Sequence, residues 1–205
     1  MAFTYPSRSS TARSVLYTLY SIAAGKPAEA LTVADVQQPL VAQKINTFHS
    51  SVDCYAPDTL DLNTKILTPP TCQFFFIAED NLVKLYQGKV SVLVGAESVV
   101  RNLDRDLVMI YPKEGAIIHN HSAFVISTEF VSDEQSEAAQ LWIDFLREET
   151  QQRAFMQEGF RRVTNGPCVN PVGSPFSPCT RTPDNPIYPD KIDPAVAAAI
   201  LEAWD

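Results

Sequence analysis

Ser132-Asp133-Glu134-Gln135 opens the stretch that most limits what this chain can fold into. Ser132 can accept from the third amide of a helix while Gln135 reaches back, which is a capping box. Ala138, Leu141, Trp142, Phe145 and Leu146 then form one broad apolar stripe, and Glu134, Glu137, Asp144 and Arg147 form the solvated face. A stripe of that width has to be covered by another layer of structure. A second helical piece, Thr150 to Met156, ends at Gly159 in the C-cap position, with Phe160 placed to fold back on it.

A comparable pattern stands near the start of the chain. Val15, Leu16, Leu19, Tyr20 and Ala23 recur at helical spacing between Ala12 and Ala24, and Gly25 is placed to stop that helix. The stretch before it, Thr4-Tyr5-Pro6-Ser7-Arg8-Ser9-Ser10-Thr11, puts hydroxyls and a cation where the helix begins. Two readings stand side by side. Ser10 or Thr11 serves only as an N-cap, or the cluster joins the unpaired first-turn amides to make a small cradle for an anion or carboxylate.

Further along, Thr32 with Asp35 approximates a capping box for a helix running to about His49, with a break expected at Pro39. Thr59 to Leu67 reads as a short helix ended by Pro69-Pro70. Cys72 to Ala78, with Phe74, Phe75 and Phe76, reads as a strand buried on both faces, and its aromatic run as core. Glu79-Asp80-Asn81 then stands at its carboxyl end, before a helical turn from Leu82 to Gln87. In open α/β sheets that edge is where ligands bind. Val90 to Val94, Leu107 to Tyr111 and Ser122 to Ser127 are further strand candidates, with Arg101 to Asp106 as a loop. Gly166 to Pro189 is a proline-dense extended tail, and Asp193-Pro194 to Trp204 a terminal helix with Val196, Ile200 and Trp204 in register.

Composition removes several function classes. The 205 residues are 45% hydrophobic, enough for a substantial core. A net charge of -8, with no long basic run, argues against nucleic acid as a partner. No run approaches the ~20 apolar residues of a membrane span, and Met1 to Pro6 lacks the pattern of a secretion signal, so any targeting segment is expected to be absent or cut away. The four cysteines pair best as two local disulfides, Cys54–Cys72 and Cys168–Cys179, implying an oxidising compartment. The alternative is four buried free thiols in a cytoplasmic protein.

With Pro6, Ser9, Ser10 and Thr11 at a helix start, Ala78-Glu79-Asp80-Asn81 at a strand end, the run from Leu107 through Tyr111-Pro112-Lys113-Glu114-Gly115, and Glu158-Gly159-Phe160-Arg161 closing a capped helix, the chain resembles the later half of bacterial extracellular solute-binding proteins of the type 2 periplasmic-binding class. These are the ligand-capturing subunits of ABC transporters. The resemblance implies an α/β fold with a mixed sheet flanked by helices: one complete lobe over residues 4–121, then residues 122–205 as the return crossing, C-terminal helices and Pro-rich tail of the other lobe. It implies ligand contacts at Arg8, Ser9, Ser10 and Thr11 and at Glu79 and Asp80. The helix start would take an anionic or carboxylate group, and Glu79 either a cationic or hydroxyl group of the ligand, a bound metal, or the role of a hinge-side cap for the following helix. Thr11 departs from the small residue more usual after the paired serines, and with the neighbouring Arg8 it leaves the ligand's size and charge open. The implied partners are a small-molecule ligand, an ABC permease and a second polypeptide supplying the missing lobe, in the periplasm or outside the cell, with no cofactor and no transmembrane segment. The surface that the Trp142 stripe would meet in that family has no counterpart in this chain, so three alternatives stand: the chain is a fragment, it closes that surface on its own tail, or the second polypeptide supplies the missing half.

A lobe of the same kind reused as a receptor or protein-interaction module is the alternative to solute capture. Two other constellations carry weaker signals. His119-Asn120-His121 could share a metal but has no carboxylate or thiolate at ligand spacing, and reads as loop. His49-Ser50-Ser51 with Asp53 holds the residue types of a hydrolytic triad without a G-x-S-x-G elbow, so the expectation is a non-enzymatic protein.

Overall fold

The computed structural model describes residues 1–68, 72–95, 97–179, 186–188 and 191–204, with the backbone alone for residues 93 and 94. The fold is mixed α/β and about 46% helical. In chain order the elements are β1 (Ala2–Thr4), α1 (Ser10–Ala24), α2 (Val33–Val36), α3 (Pro39–Ser50), β2 (Cys54–Ala56), α4 (Thr59–Leu67), α5 (Glu79–Tyr86), β3 (Ser91–Val94), β4 (Glu97–Val100), β5 (Ala116–Ile117), α6 (Asp133–Arg147), α7 (Glu149–Gln157), β6 (Pro186–Ile187) and α8 (Pro194–Trp204). Two compact units emerge. The first combines Met1–Ala78, Gly88–His119 and the C-terminal residues from 186 onward; the second combines Glu79–Gln87 with residues 120–179. This partition differs from a single cut at 121, because α5 goes with the second unit and α8 with the first.

The first unit is organised on α1. Ser9 is its N-cap, its Oγ accepting from the Ala12 amide at 3.3 Å. The cap falls earlier than the expected Ser10 or Thr11 because the Tyr5 carbonyl accepts from both the Arg8 and Ser9 amides, closing the entry turn before the helix begins. Gly25 stops the helix as expected. At φ +68° it donates to the Ile22 carbonyl while Lys26 donates to that of Ser21, a Schellman closure. Leu16, Tyr17, Tyr20 and Ala23 are buried in a core shared with Phe3, Val41, Ile45, Val196 and Ile200. Phe3 meets Phe48, Phe76 and Trp204 edge to face at 5.5–5.7 Å, a geometry that adds to simple apolar burial.

The capping box at Thr32 forms in full, with the Asp35 carboxylate also receiving Lys26 Nζ at 2.6 Å. The hydrogen bonds from Lys26 and Thr32 hold the buried Asp35 carboxyl down to about 2. Pro39 begins α3 at its first helical position, where a missing N–H leaves nothing unsatisfied, so the expected break is a new helix start. Asp58 caps α4, Asp193 caps α8, and α4 lies along β3 with Leu62 and Ile66 buried. The Pro69-Pro70 stop and residues 180–185 and 189 of the Pro-rich tail lie outside the described residues.

Strands depart most from expectation. Among the described residues they pair only two at a time: β1 with β2 and β5 with β6 in parallel, β3 with β4 as a hairpin. No continuous mixed sheet runs through them. The stretch expected to be a strand over Cys72 to Ala78 makes only an isolated bridge, Phe75 to Ala2, and Phe74 is 48% exposed. β1 offers just three residues of edge, too short to hold seven in register. Leu107 to Tyr111 and Ser122 to Ser127 have no regular structure. The strand expected at Val90 to Val94 exists, and it turns back at Gly95, at φ +63°, into β4.

In the second unit, α5 buries Leu82, Val83 and Leu85, and α7 buries Met156. Gly159, at φ +89°, ends α7. A Cβ there would meet the Asp80 backbone at 2.6 Å, so only glycine allows this close approach. The Phe160 amide donates to the Phe155 carbonyl, the fold-back expected from sequence. Cys168 and Cys179 are joined, as are Cys54 and Cys72 in the first unit. The Ser132 capping box opens α6 as expected, yet no residue of α6 is buried. Leu141, Trp142 and Phe145 are 68, 58 and 38% exposed. The covering layer that the stripe requires is absent among the described residues.

Candidate functional site

The entry to α1 is the best-built candidate. β1 and β2 run parallel with Thr4 opposite Ala56, and the Tyr5 amide extends the ladder to the Ala56 carbonyl at 3.1 Å. The turn from Tyr5 to Ser9 then delivers the chain into α1, so the mouth of this helix opens at the carboxyl end of a parallel strand pair. That is the edge at which α/β folds present ligand sites. Ser9 is buried and spends its hydroxyl on the Ala12 amide. The Ser10 and Thr11 amides have no acceptor among the described residues, and at this helix end they carry the positive pole of the dipole. Ser10 and Arg8 are exposed, Thr11 is half-buried, and no described acid pairs with Arg8. The mouth is thus an open, positively polarised spot on a chain of net charge -8.

A pair of rings adjoins it. Tyr5 is exposed and stacks on Tyr55 with centroids 5.3 Å apart and planes 17° from parallel. The Tyr55 hydroxyl is buried and has no hydrogen-bond partner among the described residues, and burial, with Tyr5 alongside, raises its pKa. Sequence reading missed both tyrosines. Their placement depends on the pairing of two three-residue strands, whose periodicity is too short to read.

Glu79 and Asp80 belong to the second unit, whereas Arg8 to Thr11 belong to the first. Both acids open α5, where carboxylates complement the helix dipole, and neither ends a strand. Each already holds a cation. Arg161 clasps Glu79 with two bonds, Nε at 2.8 Å and Nη2 at 2.5 Å, and donates through Nη1 to the Pro178 carbonyl at 3.0 Å. Lys84 Nζ reaches Asp80 at 2.9 Å one turn along α5. The Glu79–Arg161 clasp ties α5 to the chain leaving α7. Sequence reading quoted Arg161 as part of Gly-Phe-Arg without seeing its partner, which lies 82 positions away.

The remaining motifs are dispersed. His119 Nε2 and the buried Ser14 Oγ are 2.8 Å apart, while His121 meets Phe160 edge-on at 5.2 Å. Among the described residues no group of three or more His, Cys, Asp or Glu could hold a metal ion. His49 lies 4.6 Å from Trp204, Ser51 bonds the Phe48 carbonyl and Asp53 accepts from the Met1 nitrogen, so these side chains point to separate partners.

No helix described here is long and apolar enough to cross a membrane, and the two disulfides fit a secreted or extracellular protein. Compared with family models, curated proteins and solved structures, the chain matches none.

Proposed function

We propose that this chain is a solute-binding domain that captures a small anionic or carboxylate-bearing ligand at the mouth of α1 and delivers it to an ABC-type permease, working in the periplasm or at the cell surface. The observation that carries the reading is the pair of unpaired amides at Ser10 and Thr11, open at the carboxyl end of β1 and β2 beside Arg8. Tyr5, exposed beside the same turn, supplies a flat surface for the ligand's uncharged part. The likeness to type 2 solute-binding proteins belongs to this proposal, as does the two-lobed architecture it implies. Within it, Ser9 positions the mouth by capping the helix.

The test is a thermal-shift panel of sulfate, phosphate, simple carboxylates and amino acids. A ligand present at a hundredfold excess over its Kd adds about 2.7 kcal/mol, and each kcal/mol moves Tm by roughly 2–4 °C in a chain of this size. Arg8→Ala with Ser10→Ala, both at exposed positions, weakens binding about tenfold and so cuts the rise to about half at the same ligand concentration, without lowering the ligand-free Tm. No response to any of these compounds refutes the reading, as does a rise that the double variant retains in full.

The exposed Leu141, Trp142 and Phe145 support a second reading, in which the chain is a receptor or interaction module that binds a polypeptide.

A further inference from the structure

The exposed face of α6 also indicates the chemistry of what covers it. Leu141 and Phe145 stand one turn apart, and the Trp142 and Phe145 rings stack at 5.3 Å with planes 27° apart. Aromatic anchors of this kind dominate polypeptide interfaces. Around Leu141 the helix places Glu137 four residues before, Asp144 three after and Glu134 seven before, all of them exposed. The only cation in α6 is Arg147, in its last turn. The stretch before the helix adds Phe124, Ile126 and Phe130, each exposed. The face is therefore apolar at its centre and acidic at its border. A second copy of the same face would set carboxylates against carboxylates, which opposes self-association.

We propose that this face of α6 docks a cationic polypeptide segment whose apolar side chains cover Leu141, Trp142 and Phe145 and whose Lys or Arg side chains meet Glu134, Glu137 and Asp144. The inference rests on the interaction reading and is independent of solute capture at α1.

Fluorescence anisotropy of the full chain with a labelled amphipathic leucine–lysine peptide, and with a counterpart carrying glutamate for lysine, tests it. The lysine peptide binds at least about tenfold more tightly, a difference of about 1.4 kcal/mol. Leu141→Ser with Trp142→Ser, which leaves every charge in place, weakens that binding about tenfold or more, with the far-UV spectrum unchanged. Glu137→Lys with Asp144→Lys reverses the preference between the peptides. Equal binding of both peptides, lost in the serine variant, overturns the cationic partner while leaving the interaction reading standing. Lysine-peptide binding that survives the serine variant, or binding of neither peptide, overturns both. Sedimentation showing self-association that the serine variant abolishes makes a second copy the occupant and overturns the proposal.

Discussion

α1 and α6 are both 15 residues long, both are opened by a serine whose hydroxyl accepts from the third amide, and both carry an apolar stripe at helical spacing. α1 buries Leu16 and Tyr20 almost completely, and α6 buries nothing. Local chemistry, made of caps, propensity and periodicity, is therefore enough to specify that each is a helix and, in α6, where it starts. Whether the stripe becomes core depends on what the rest of the chain brings to it. Phe3 from β1, Val41 and Ile45 from α3, and Val196 and Ile200 from α8 converge on α1. α6 has α7 beside it, with Gln152 Nε2 donating to the Leu146 carbonyl at 2.9 Å, but no residue of α6 is buried. The same sequence signal thus ends as a core in one unit and as a surface in the other.

Substitution in the two stripes gives the largest contrast. Leu16→Ala, at a position with no exposed surface, destabilises the first unit by about 2–5 kcal/mol. Leu141→Ala changes stability by about 0.5 kcal/mol or less, because the side chain already faces water. Denaturant unfolding of the two variants makes the comparison, and equal losses would mean that α6 is covered in solution. The caps give a smaller effect of equal size in both helices. Ser9→Ala and Ser132→Ala each cost about 1 kcal/mol of local helix stability, read by amide exchange over the first turn. A loss confined to α1 would show that the α6 box contributes nothing without a packed stripe.

The smallest difference is in acid. Asp35, held to about 2 by Lys26 and Thr32, has a folded pKa below its unfolded value of 3.8. Its contribution to stability is full above about pH 4 and is lost as pH falls toward 2. Trp204 reports on the first unit and Trp142 on the second. Asp35→Asn flattens the acid transition followed through Trp204 and leaves that followed through Trp142 unchanged. A shift in both signals would show that the units unfold together.

What could be read from sequence follows the same division. The Gly25 stop, the Thr32 and Ser132 boxes, the span of α4, and Gly159 with Phe160 are each set by residues within one or two turns of each other, and the structure has them. The strands were misread where pairing is long-range and short. β1 meets β2 across more than 50 positions with three residues on each side, and the Phe74 to Phe76 run, apolar enough for a buried strand, finds only a single bridge. At the entry to α1, the helix start was legible to within a residue or two because it is a local event. The Tyr5–Tyr55 stack and the Glu79–Arg161 clasp were not, since each joins segments at least 50 residues apart.

The proposed capture of a ligand at the mouth of α1 rests on two amides that have no acceptor among the described residues, and these can be watched individually. A nitrogen–proton correlation spectrum, titrated with inorganic phosphate and with acetate, should show the Ser10 and Thr11 resonances moving together to saturation, and Arg8→Ala with Ser10→Ala should weaken the response about tenfold. Resonances at Ser10 and Thr11 that stay fixed while other amides respond, or a titration that never saturates, would contradict the account.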